Sequence, residues 1–126
     1  DTDFLAVHCP LNEEPRHIVG PAELAGMGKG SFVINCARGG IVDEVALTDA
    51  LDSGAIAGAG IDVYEQEPPP ADHPFLANQR IFLSPHSAGV SVEAARRMSF
   101  ETADNLIAAL ENRYNPDALA NPEIVA

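Results

Sequence analysis

Tryptophan is absent from this 126-residue sequence and aromatic residues make up only 6% of it, so the core is expected to be built from Val, Ile, Leu and Ala. Positive charge is scarce as well. Seven Lys and Arg face 19 Asp and Glu, for a formal net charge of −12. A surface of that sign repels phosphate backbones and anionic lipid, which argues against nucleic acid and membranes as partners. An anionic substrate would need a local cation to overcome the overall field. The two cysteines, Cys9 and Cys36, are too few for a disulfide framework. Each ends an apolar run, and both are expected as reduced, buried thiols in a cytoplasmic protein. No apolar run reaches membrane-spanning length, no signal-peptide or lipidation pattern is found, and no ligand spacing suits a metal. The opening Asp1-Thr2-Asp3, without methionine and directly before an apolar run, is expected of a cut through a longer protein.

What is present is a regular alternation of apolar runs and helical patterns. Phe4 to His8 is a strand stopped by Cys9-Pro10, and Ser31 to Cys36 a second, apolar without alternation, as expected when both faces are covered. Between them Pro21 opens a short helix that Gly28-Lys29-Gly30 ends. Asp43 suits an N-cap, with Val42 and Leu47 placed as a hydrophobic staple, and Gly54 ends that helix. Ala57 to Val63 and Ile81 to Ser84 are the third and fourth strands, joined by a loop. Ser91 caps a long helix to about Glu111, with Ala103, Leu106, Ile107 and Leu110 on one face, and an irregular tail follows. The order β-α-β-α-β-loop-β-α predicts an α/β fold with a parallel sheet and flanking helices. Gly26-x-Gly28-x-Gly30 follows a helix and opens a strand, so it is a cap and turn, not a phosphate-cradling loop.

In parallel sheets ligands bind beyond the carboxyl ends of the strands. Cys9-Pro10, Ala37-Arg38-Gly39-Gly40, Asp62 and Pro85-His86 all fall there. Arg38 offers a planar fork for a carboxylate, against the plainer reading of a surface arginine paired with an acid. His86 has the side chain suited to proton transfer near neutrality, with Glu67 the candidate carboxylate to fix its tautomer. A helix-cap or buried structural histidine is the alternative. His8, His17 and His73 are expected to be structural, lacking a carboxylate at a supportive spacing. Asp62 could accept a hydrogen bond from a rim amide or simply belong to a turn.

The segments Asn35-Cys36-Ala37-Arg38-Gly39-Gly40-Ile41-Val42-Asp43-Glu44, Ala59 to Pro68 and Ser84-Pro85-His86-Ser87-Ala88-Gly89, in that order, resemble the D-isomer-specific 2-hydroxyacid dehydrogenases. The resemblance runs from His8-Cys9-Pro10-Leu11 to the helix after His86. It implies the second half of a Rossmann-like dinucleotide-binding domain over residues 1–111, with 112–126 a tail toward a separate substrate domain. It further implies that Arg38 binds the substrate carboxylate, that His86 is the acid/base oriented by Glu67, and that Asp62 faces the nicotinamide carboxamide. Cys9, Pro10, Cys36, Ala37, Arg38, Asp62, His86, Ser87, Ala88 and Gly89 would line NAD or NADP, with NAD favoured. The implied reaction interconverts a 2-oxo acid and a D-2-hydroxy acid, in a homodimer. The family's Gly-rich pyrophosphate loop, the acidic residue that reads the adenosine ribose and the substrate domain are not in this sequence. The alternative on the same fold is a cofactor-sensing, corepressor-like interaction protein.

Overall fold

Four apolar runs pair side by side as parallel strands in a computed structural model that describes residues 2–10, 16–121 and 123. In chain order they are β1 (Phe4–Val7), β2 (Phe32–Asn35), β3 (Gly58–Ile61) and β4 (Ile81–Leu83), and the sheet order is the same. Register sets Phe4 opposite Phe32, Phe32 opposite Gly58 and Ala59 opposite Ile81. Parallel neighbours need crossovers. These are α1 (Pro21–Gly26), α2 (Glu44–Asp52) and α3 (Pro74–Ala77), and α4 (Val92–Leu110) follows β4. The chain divides into two compact units, Asp1–Ala88 and Gly89–Ala126. Leu11, the last residue of the first strand-end motif, lies outside the described residues.

The expected helix signals operate. Asp43 Oδ1 accepts from the amides of Val45 and Ala46, both at 3.0 Å, and Val42 and Leu47 are buried beside each other in the core as a staple requires. α1 starts on Pro21, and the Gly20 amide donates to Glu23 Oε2 at 3.0 Å. The glycine run after α1 makes a turn, with Gly30 at φ +98° and the Ser31 amide donating to the Gly28 carbonyl at 3.1 Å. In the second unit, Ser91 Oγ accepts from the Ala94 amide at 3.0 Å, and no residue of α4 is buried.

Three expectations are corrected. The connection between β3 and β4 holds the short helix α3, whose Phe75 is among the largest fully buried side chains. Four residues are too few to show helical periodicity, though His73-Pro74 marks the start. Phe75 and Tyr64 therefore join a core otherwise made of Val, Ile, Leu and Ala. Second, among the described residues the sheet is not covered on both faces within its unit. Leu24, Leu47 and Leu51 from α1 and α2 pack with Val33 and Ile61, while Phe4 and Phe82 on other strand positions remain 64% and 79% exposed. Third, Cys9 and Cys36 are exposed, because both lie just past the strands that were expected to bury them.

Leu47 is fully enclosed between α2 and the sheet. Leu47→Ala is expected to lower stability by about 2–5 kcal/mol through lost burial and a cavity, as measured by urea unfolding. A change below about 1 kcal/mol would mean that the site collapses around the smaller side chain.

Candidate active site

The segments after β2, β3 and β4 carry Arg38, Asp62 with Glu67, and His86 at the carboxyl rim of the sheet. At the end of β2, Asn35 is buried and turns its side chain back on the loop. Its Oδ1 accepts from the Ala37 amide at 3.1 Å, and its Nδ2 donates to the Arg38 carbonyl at 3.0 Å. A buried amide satisfied this way fixes the turn that carries Arg38. The Arg38 side chain is exposed, with Nη1 donating to the Ala37 carbonyl at 2.7 Å. Gly39 follows for a steric reason. A Cβ there would lie 1.9 Å from the Tyr64 carbonyl oxygen, so the Arg38 turn rests directly on the Tyr64–Glu65 peptide.

Glu67 and His86 meet beyond β3 and β4. His86 Nδ1 lies 2.7 Å from Glu67 Oε2, and Glu67 Oε1 accepts from the Tyr64 amide at 3.0 Å. Hydrogen bonds from His86 and then Tyr64, with the nearby charges of His86 and Arg38, outweigh partial burial and hold the Glu67 carboxyl below its ordinary 4.5. An ionised Glu67 only accepts, so Nδ1 carries the proton it shares and Nε2 points the other way.

His86 sits at φ +54°, a left-handed conformation that a non-glycine residue holds only when its surroundings enforce it. Asp62 supplies the enforcement. It is 2% exposed, and it accepts from Ser84 Oγ at 2.5 Å, the Ser87 amide at 2.8 Å and the Ala88 amide at 2.8 Å. Burial pushes its carboxyl up, but those three bonds and the His86 charge together hold it below its ordinary 3.8.

The structure thus brings Asp62, Glu67 and His86 together, with Arg38 close enough for its charge to act on Glu67. Cys9, Pro10, Cys36, Ala37 and Arg38 share a cavity of about 430 Å³ with His8, at the exits of β1 and β2. The Ser87 and Ala88 amides are taken by Asp62. His17 and His73 do have carboxylate partners, Glu65 at 2.8 Å and Glu44 at 3.0 Å, supplied by residues distant in sequence. Asn35 and Tyr64, which lie in the motif segments but carry no individual role from the sequence, hold the Arg38 turn and Glu67. The only local signal was a polar Asn35 closing an apolar strand.

Residues 1–88 match the family model described as D-isomer specific 2-hydroxyacid dehydrogenase, NAD binding domain. The chain belongs to this family. It is 43% identical over 125 residues to a glyoxylate reductase of Korarchaeum cryptofilum, covering 99% of this chain and 37% of that protein. It therefore spans little more than a third of the length of that curated relative. Its fold superposes on a D-lactate dehydrogenase with NAD+ from Lactobacillus jensenii at a TM-score of 0.81, with 30% identity, covering 90% of this chain and 38% of that one. An NADPH-dependent glyoxylate/hydroxypyruvate reductase from Sinorhizobium meliloti, in complex with NADP and malonate, gives a TM-score of 0.76 and 40% identity over 84% of this chain and 33% of that one.

The Asp62 bonds carry a pH-dependent prediction. Because its folded pKa is depressed, its stabilisation is present above its ordinary 3.8 and is lost as pH falls through the lower folded value. Asp62→Asn puts an amide N–H against loop donors and is expected to cost about 1–3 kcal/mol at pH 7. The difference from wild type should shrink on acidification below 3.8. An equal difference at both pH values in urea unfolding would remove charge from the explanation.

Proposed function

We propose that the protein carrying this chain interconverts a small 2-oxo acid and the matching D-2-hydroxy acid, using a nicotinamide dinucleotide. The observation that carries this is the Glu67–His86 pair, 2.7 Å apart and within electrostatic reach of Arg38 at the carboxyl rim of a parallel sheet. The cavity at the β1 and β2 exits falls in the size range of small-ligand sites, about 300–1,000 Å³, and is bordered by Arg38, so it fits the nicotinamide end of such a cofactor. Its lining, Cys9, Pro10, Cys36, Ala37 and Arg38, would hold that end, and Asp62, His86, Ser87 and Ala88 are the further cofactor contacts of this reading. When bound, the cofactor supplies the hydride that reduces the carbonyl carbon.

The protein's own groups complete the reaction. Arg38 binds the substrate carboxylate with its planar fork and places positive charge by the carbonyl. As the carbonyl carbon gains the hydride, its oxygen becomes anionic and takes the proton from His86 Nε2. Glu67 keeps the other ring nitrogen protonated and offsets the charge of the imidazolium. In the oxidative direction His86 takes the hydroxyl proton.

The relatives named glyoxylate and glyoxylate/hydroxypyruvate reductases favour a short, unbranched 2-oxo acid. The cofactor is NAD or NADP, and we favour NAD. The protein works in the cytoplasm as a homodimer, without nucleic acid or membrane partners. Among the described residues no helix is long and apolar enough to cross a membrane.

Steady-state kinetics with glyoxylate and hydroxypyruvate test this reading. His86→Ala is expected to lower kcat by about 10²–10⁴-fold, and a near-normal kcat removes His86 from the acid/base role. Arg38→Lys keeps the charge but loses the fork, and should chiefly reduce kcat/KM for the 2-oxo acid. An unchanged kcat/KM places the carboxylate elsewhere. No turnover of any 2-oxo acid by the wild type would overturn the dehydrogenase reading in favour of a cofactor sensor.

A further inference from the structure

We infer that Glu44, oriented by His73, is a positioning residue for the acid/base pair, acting through the Tyr64–Glu65 peptide on which the Arg38, Glu67 and His86 segments converge. The inference rests on the dehydrogenase reading above for its catalytic consequence, and on geometry alone for the linkage.

Glu44 is the first residue of α2, yet it is not used to cap that helix, because Asp43 already takes the amides of Val45 and Ala46. Its carboxylate reaches across the fold. Oε1 accepts from the Glu65 amide at 2.9 Å, and Oε2 lies 3.0 Å from His73 Nε2. The tautomer of His73 follows from its other nitrogen. Nδ1 accepts from the Phe75 amide at 3.2 Å, so Nε2 bears the proton and donates to Glu44. The two side chains are 11% and 17% exposed, which shields the pair from competing water.

The peptide that Glu44 holds is where three segments meet. Gly39, next to Arg38, is in backbone contact with Tyr64. The Tyr64 amide donates to Glu67 Oε1. The Tyr64 hydroxyl donates at 3.1 Å to the carbonyl of Ser84, two residues before His86. Burial, followed by the charges of Asp62, Glu67 and Glu44, pushes the Tyr64 phenol up, which keeps it a donor. His73 also meets the Tyr64 ring edge-on, at 6.2 Å between centroids. Without Glu44, the Glu65 amide loses its acceptor, and the peptide is left to the Gly39 contact and to the side-chain bonds of Tyr64 with Ser84 and of Glu65 with Arg16 and His17. A looser peptide weakens the Tyr64 amide bond to Glu67, which after the bond from His86 does most to keep that carboxylate ionised. The groups acting on Glu67 are His86, Arg38 and that amide.

The substitutions separate this role from a fold brace. His73→Asn preserves an N-cap acceptor for the Phe75 amide but cannot reach Glu44. Glu44→Ala removes the whole link, and Glu44→Gln restores an acceptor for the Glu65 amide. In the complete protein with its reduced cofactor, His73→Asn and Glu44→Ala are expected to lose about 10- to 100-fold in kcat with little change in KM, the scale of a small misplacement of catalytic groups. The acid limb of the kcat profile should move to higher pH, and Glu44→Gln should recover part of both. A readout independent of turnover is the NMR titration of the Glu67 carboxyl, expected to move upward in His73→Asn and Glu44→Ala. Unchanged kcat, acid limb and Glu67 titration, with only a lower Tm, would overturn the positioning role. If wild type turns over no 2-oxo acid, the dehydrogenase reading fails on its own, and the Glu67 titration still decides the linkage. Should Glu44→Ala not fold, His73→Asn and Glu44→Gln carry the same comparison.

Discussion

A buried carboxylate has to be satisfied, and at Asp62 that necessity organises the rim. Its acceptor positions are met by donors from a single loop, the one that carries His86 in a left-handed conformation. The strand that ends just before Asp62 is thereby joined to the next strand exit by charge-assisted hydrogen bonds, which are stronger than neutral ones. His86 needs no packing of its own to be fixed. Its side chain is 43% exposed, and the backbone beneath it is held by the neighbour.

Much of this was legible before any coordinates. The four strands, their parallel order, the Asp43 cap and its staple all follow from local signals of a few residues. The meeting of Glu67 with His86 was legible only through the order of three motifs. Taken singly, each residue favours a plain structural explanation. What could not be read is the long-range polar wiring. Glu44 to Glu65, His73 to Glu44 and Tyr64 to Ser84 join residues about twenty or more positions apart, and no periodicity encodes them. The exposed cysteines were missed for a related reason. An apolar run marks a strand but not where it ends, and a shift of one or two residues moves a side chain from core to rim.

The acidic composition acquires a specific meaning in this setting. The rim holds Asp62 and Glu67 as ionised carboxylates, and the chain around them carries a formal net charge of −12. Arg38 is thus a positive group set into an acidic surrounding. Its turn is not free to vary, being closed from within by the buried Asn35 amide. Positive charge at one point and rigidity at that same point are supplied by a motif of four residues.

The backbone contact at Gly39 has a consequence for motion. Two turns in contact at the main chain, with no side chain between them to change rotamer, cannot slide past one another in small steps. Any movement of Arg38 must carry Tyr64 with it, and with Tyr64 the carboxylate bonded to His86. Arg38 and the Glu67–His86 pair therefore travel as one body. A substitution that relaxes the arginine turn would also displace the histidine, so room added on this rim has to come from residues outside the turn.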